Sequence, residues 1–183
     1  MSDDEIHVPH HAHRRERGLA QWIAIFTALV ATFGAIVGHE ASETANEAIL
    51  YKNDAVLKKA EAANQWAYYQ QVSTKALLTE LAKTLAPEGR QADYDSRLAK
   101  YANQKDQIQA RADMLEQQVT VANTKSAALR TPRLNFTLAI MLLQIGISVA
   151  SVTVLTGRTW LFGVAGLAAV GGVGFWVAAL LAH

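Results

Sequence analysis

The sequence predicts an all-α membrane protein: three transmembrane helices, with a long antiparallel helical (coiled-coil) hairpin between the first and second. Three observations predict it. Three apolar stretches lack any Asp, Glu, Lys or Arg, and each is long enough for a bilayer, which takes about 20 helical residues. The charged residues gather between the first and second of these stretches, so a hydrophobic content of 51% coexists with 18% charge. That charged middle holds no Gly or Pro outside one short cluster, and its second half repeats apolar residues at alternating steps of four and three, the seam of a coiled coil.

In chain order, residues 1–18 read as a polar, His-rich tail in which Pro9 disfavours helix. His7, His10, His11 and His13 are the weak candidates for a transition-metal ligand there. Imidazoles in a flexible tail impose no fixed geometry, so a titratable, solvated tail is the expectation and no metal is assigned. Transmembrane helix 1 occupies residues 19–39, as "LAQWIAIFTALVATFGAIVG" and its boundary residue. The apolar run is too long for a signal peptide, and no small-x-small cleavage site precedes "HEASE"; a retained helix is expected. Gly34 and Gly38 stand four apart beside Ala20, Ala24, Ala28, Ala31 and Ala35, a face that lets helices approach closely in lipid.

Residues 40–131 form the hairpin, with its turn at 86–90, "APEGR", where Pro87 and Gly89 stop one helix and reverse the chain. The seam of the second helix is Tyr94, Leu98, Tyr101, Ile108, Ala112, Leu115, Val119, Ala122 and Leu129, with Lys105 and Ser126 at the polar steps. Folding back at the turn pairs Leu81 with Tyr94, Leu78 with Leu98, Ala67 with Ile108, Ala60 with Leu115 and Leu57 with Val119. Thr74, Gln71, Asn64 and Asn53 fall on that same face of the first helix; polar seam residues cost stability but fix register. At ~1.5 Å per residue the hairpin is a rod about 65 Å long.

The first rod helix has a second apolar stripe: Ala41, Ala45, Ala48, Ala55, Ala62, Trp66, Tyr69 and Ala76. One partner helix cannot cover both stripes, and an open patch of that size is rare on a soluble surface. We therefore expect the second stripe to meet other subunits, with Trp66 and Tyr69 as anchors, Ala55 and Ala62 permitting close approach, and Gly34 and Gly38 continuing the contact in the membrane. The alternative is that Trp66, Tyr68 and Tyr69 of "NQWAYYQQ" pack inside the chain's own hairpin.

Transmembrane helix 2 covers residues 132–157 and is expected to restart with Thr131 as cap and Pro132 in the first turn. Thr137, Gln144, Ser148 and Ser151 share one face; Gln144, near mid-span, is expected to hydrogen bond to a neighbouring span with Ser148 and Ser151 beside it. Transmembrane helix 3 covers residues 159–182, and so short a link makes the last two spans a tight antiparallel hairpin. Its "GVAGLAAVGGVG" has the glycines of a phosphate loop without the Lys-Ser/Thr, which leaves small-residue packing as the reading.

Charge and composition narrow the function. A formal net charge of +1 gives no nucleic-acid signal, and the absence of Cys removes disulfides and thiolate chemistry. Spans without ionisable residues argue against a pump or ion-coupled transporter. Asp93 and Asp95 form a bare D-x-D beside the turn, and no Ser/His/Asp arrangement or zinc spacing occurs; we expect neither enzymatic activity nor a cofactor. Lys and Arg near the span ends almost balance, with Arg14, Arg15, Arg17 and Arg158 slightly favouring a cytoplasmic N-terminus and a hairpin outside.

The segments "GHEASETANEAIL", "AEAANQWAYYQQVSTK" and "LLQIGISVASVTVLTGRTWL" resemble, in that order, the bacterial domain of unknown function 4337 family, small membrane proteins whose His-rich tail precedes a span. The Trp66-Ala67-Tyr68-Tyr69-Gln70 core is the most specific piece. The resemblance implies a place in the bacterial inner membrane and lends no catalytic residues. It marks the rings, Gln144 and the final pair of spans as family features. The expected function is a self-assembling structural or scaffolding protein that oligomerises in lipid through its rod. An accessory subunit of a larger membrane complex and an oligomeric channel are the alternatives.

Overall fold

The computed structural model describes the backbone of residues 10–182 and the side chains of residues 18–182. Four helices account for nearly all of it: α1 (His10–Thr84), α2 (Gln91–Ala128), α3 (Arg130–Thr156) and α4 (Thr159–Leu181), with no strand among the described residues. Three helical stretches are long and apolar enough to cross a membrane, beginning at Gly18, at Glu88 and at Thr159.

Helix α1 does not break where the sequence changes character, at 18/19 or at 39/40. It is already helical at His10. Pro9 stands immediately before it; the ring that forbids a helix interior does no harm ahead of a helix start. Gly34 and Gly38 each weaken the helix by only about 1 kcal/mol relative to Ala, too little to stop so long a run. The chain ends α1 at Thr84, just ahead of Pro87, and a 3-10 turn at Glu88–Arg90 leads into α2. Pro87 is extended (φ −58°, ψ 148°), and its carbonyl accepts from the Arg90 N–H at 2.9 Å.

The chain divides into two compact units: residues 1–46 with 129–183, and residues 47–128. In the first, α1 residues Val30 and Val37 share a core with Phe136, Ala139 and Leu143 of α3 and Ala169 and Ala179 of α4. Ile23 does the same with Ala150 and Ala165. Two edge-to-face ring pairs, Phe26–Phe162 and Phe33–Trp176, each 5.2 Å between centroids, tie α1 to α4. Helix α3 buries Pro132, Phe136, Ala139, Leu143, Gly146, Ala150 and Thr153, alternating steps of four and three that suit shallow-angle helix packing.

The α3–α4 approach is set by glycine. A Cβ on Gly172 would stand 2.9 Å from Leu143 Cγ and 3.0 Å from the Ala139 carbonyl oxygen, and one on Gly146 would stand 3.1 Å from the Ala165 carbonyl oxygen. The turn between the two helices needs glycine for another reason: Gly157 is left-handed (φ 66°), and its N–H caps the Thr153 carbonyl at 2.9 Å. Helix α3 starts at Arg130 after Leu129, not after a Thr131 cap. Leu129 keeps helical torsions (φ −73°, ψ −5°), so α2 and α3 are parted by one residue, and Pro132 still falls in the first turn, where its missing N–H has no intrahelical acceptor to lose.

In the second unit, the predicted α2 positions from Tyr94 through Ala122 are all buried or half-buried, Ile108, Ala112, Leu115 and Ala122 most deeply. Polar contacts from this face reach α1. Lys83 pairs with Asp95, the Lys105 ammonium stands 5.2 Å over the Tyr69 ring, and Trp66 Nε1 donates to Glu116 Oε1 at 2.8 Å. Lys52 Nζ donates to Asn123 Oδ1 at 2.8 Å, and the Ser126 hydroxyl donates to the Ala48 carbonyl at 3.0 Å. The α1 partner number falls as the α2 number rises.

Candidate functional site

Between residues 47 and 84, α1 carries two heptad seams, and they face opposite ways. One runs through Ala55, Lys58, Ala62, Gln65, Tyr69, Val72, Ala76 and Thr79, at steps of three and four; all are buried or half-buried. The other has Leu50, Leu57, Asn64, Gln71 and Leu78 seven apart, continued in spacing by Leu85 just past the helix end, with Asn53, Ala60, Ala67, Thr74 and Leu81 between them; every one is exposed. The seams are offset by two residues, which is about 200° of rotation on a helix with 3.6 residues per turn.

These faces are reversed from the expectation, in which Leu57, Leu78 and Leu81 turn toward α2 and the alanine stripe turns outward. In the structure Leu57, Leu78 and Leu81 are 56%, 60% and 59% exposed, whereas Ala55 and Ala62 are 3% exposed. Ala55 and Ala62 are therefore buried within the single chain, on the side of α1 that carries Trp66 and Tyr69. Trp66 and Tyr69 are half-buried on the same side, edge to face at 5.7 Å. Their polar partners, Glu116 and Lys105, lie on α2.

The physical reason is complementarity of size and of polar tips. Helix α2 buries Ile108 and Leu115 while α1 buries the small Ala55 and Ala62, and large and small residues on facing elements interdigitate. Leucines on both helices would hold the backbones apart. An indole N–H needs an acceptor when half-buried, and Glu116 supplies it; a ring face attracts a cation, and Lys105 supplies that. Lys105 already stands at a polar step of the α2 seam, whereas Glu116 is inconspicuous in the sequence because it sits one residue beyond the apolar position Leu115. The outward seam was detectable: Leu50, Leu57, Leu78 and Leu85 keep a strict spacing of sevens.

The intramembrane candidates divide similarly. Gly34 sits against α3, where an added Cβ would meet Leu143 Cδ1 at 3.9 Å, while Gly38 has open space. Gln144, Ser148 and Ser151 are all exposed. Ser148 and Ser151 donate to the carbonyls of Gln144 and Ile147, each at 2.9 Å. Gln144 makes no side-chain hydrogen bond to any described residue, contrary to the expected bond to a neighbouring span. The face of α3 turned to α1 and α4 belongs to Ala139, Leu143, Gly146 and Ala150. Small residues there allow close packing, and Gln144 is left on the outer side.

His7 lies outside the described residues, as do the side chains of His10, His11 and His13. Among the described residues no group of three or more His, Asp or Glu could hold a metal ion. The described ion pairs lie at least partly open to solvent; Arg97–Asp93 at 2.9 Å and Lys58–Glu61 at 3.3 Å join neighbouring turns of one helix, whereas Lys83–Asp95 joins α1 to α2.

A family model described as "Domain of unknown function (DUF4337)" matches residues 19–182. No curated protein and no solved structure matches the chain.

Proposed function

The chain belongs to the domain of unknown function 4337 family, and from that premise we propose that it is a non-enzymatic, self-assembling scaffold of the bacterial inner membrane. Its three apolar helical stretches lie in lipid, with the N-terminus in the cytoplasm. Residues 47–128 form an antiparallel coiled-coil hairpin outside, a reading supported by the falling order of the polar contacts between α1 and α2. Copies join along the outward seam of α1, in place of the Trp66 face.

One observation carries this reading: a heptad spacing with leucine at four of six positions, Leu50, Leu57, Leu78 and Leu85, stands more than half exposed on the single chain. An apolar stripe of that kind is stable in water only when another surface covers it. A second copy is the natural cover, because a heptad seam is complementary to itself. Asn64 and Gln71 interrupt the leucines at the same kind of position, where polar residues cost stability and set register and subunit number.

The test is Leu57→Ser with Leu78→Ser in the full chain, reconstituted in lipid nanodiscs and sized by mass photometry. The expected result is a shift to smaller species with helicity unchanged. An unchanged particle mass would remove the outward seam from the assembly.

A further inference from the structure

The strongest unexplained feature elsewhere in the molecule is Gln144. It lies mid-way along α3, and the apolar stretch extends about ten residues on either side of it. Its carboxamide has one acceptor oxygen and two N–H donors. None of them bonds within the chain as described, and the residue is exposed. The neighbouring hydroxyls of Ser148 and Ser151 donate to the backbone of their own helix, and neither bonds to the Gln144 carboxamide. An amide left unbonded in hydrocarbon is costly. The outer face of α3 thus carries hydroxyls bonded to their own helix, Thr137, Ser148 and Ser151, and one unbonded amide, Gln144, flanked by Met141 one turn before and Ser148 one turn after.

We infer that Gln144 is an intramembrane contact between copies of this chain, the amide oxygen of one copy accepting an N–H from the same residue of the next. This rests on the proposed membrane insertion and self-assembly and adds a second contact, within the bilayer and independent of the rod. Three points single out another copy as the occupant. A carboxamide is donor and acceptor at once, so one residue type closes a symmetric pair or ring without a second chemistry. Lipid tails offer no hydrogen bond. The flanking Ser148 and Ser151 are small, so a second α3 can come close enough for amides to meet.

The chain has no cysteine, which makes disulfide trapping in the membrane a clean readout. Met141→Cys on the Gln144 face and Leu167→Cys on the exposed face of α4 are placed in the full chain, in native-composition vesicles, and oxidised. The inference expects a covalent dimer from Met141→Cys and little from Leu167→Cys. Adding Gln144→Leu to Met141→Cys is expected to lower trapping by about three- to thirty-fold, the range of one interhelical hydrogen bond in lipid, and Gln144→Asn to restore part of it. Equal trapping at the two positions, or trapping indifferent to Gln144→Leu, overturns the inference. Repeating Met141→Cys in the Leu57→Ser, Leu78→Ser background separates the two contacts. Trapping that persists there, while particle size falls, supports an independent membrane contact. Trapping lost there along with the size means that Met141 proximity follows from the rod alone, and Gln144 then makes no contact of its own.

Discussion

At the scale of single residues, the decisive facts concern polar tips and missing side chains. Trp66 belongs to the inside of the α1–α2 pair because Glu116 waits for its N–H at 2.8 Å. Replacing Trp66 with Ala is expected to lower the stability of residues 47–128 by about 2 kcal/mol, from lost packing and the lost edge-to-face contact with Tyr69. Thermal unfolding followed by circular dichroism measures it. Particle size in lipid is expected to stay the same for the double variant Trp66→Ala, Tyr69→Ala, and a smaller particle would return the rings to the intersubunit surface. Gly172 gives a second residue-scale prediction. A Cβ there meets Leu143 Cγ and the Ala139 carbonyl at or below 3.0 Å, and a backbone oxygen cannot move aside cheaply. Gly172→Val is expected to push α4 from α3 and lower the unfolding temperature, whereas Gly174→Ala, with nothing within 4 Å, is expected to leave it unchanged or raise it slightly, since Ala favours helix over Gly.

At the scale of elements, α1 has two seams on opposite sides between residues 47 and 84, one buried and one exposed. The inward one is small and aromatic, and the outward one is leucine-rich. The outward face is also wider than a two-stranded seam. Ile49, Val56 and Leu77 precede the leucines at positions 50, 57 and 78 and are 51%, 63% and 67% exposed. Three apolar positions per heptad make the broad stripe of a bundle helix; two would make the narrow seam of a dimer. The expected assembly therefore holds more than two copies. Mass photometry of the unmodified chain in nanodiscs checks this, and a strict dimer contradicts it. Leu81→Asn is expected to weaken that assembly, and Ala62→Leu to disrupt the single chain instead, by overpacking a position only 3% exposed.

At the scale of the whole molecule, insertion and sidedness govern everything proposed above. A single cysteine at Gly89, in the turn between α1 and α2, is expected to react with a membrane-impermeant thiol reagent added outside intact cells. Protection there, with labelling only after lysis, places the rod in the cytoplasm and reverses the proposed orientation. Resistance to alkaline extraction is expected as well, since three apolar helical stretches cannot be stripped from lipid by removing charge contacts.

Helix content, the three apolar stretches, the turn at Pro87–Gly89 and the seam of α2 were all legible in the residues. So was the need for a tight turn at Gly157. These follow from local properties: hydrophobic length, periodicity, and the torsions that Pro and Gly allow or forbid. The α1 face that meets α2 was not legible, nor was the outward placement of Gln144. A helix with two heptad seams satisfies periodicity whichever way it turns. The choice falls to partners distant in sequence, namely the acceptor at Glu116 for Trp66, the Lys105 cation over Tyr69, and the close approach at Gly146. Periodicity counts residues along one chain, whereas burial depends on the shape and chemistry of whatever lies opposite.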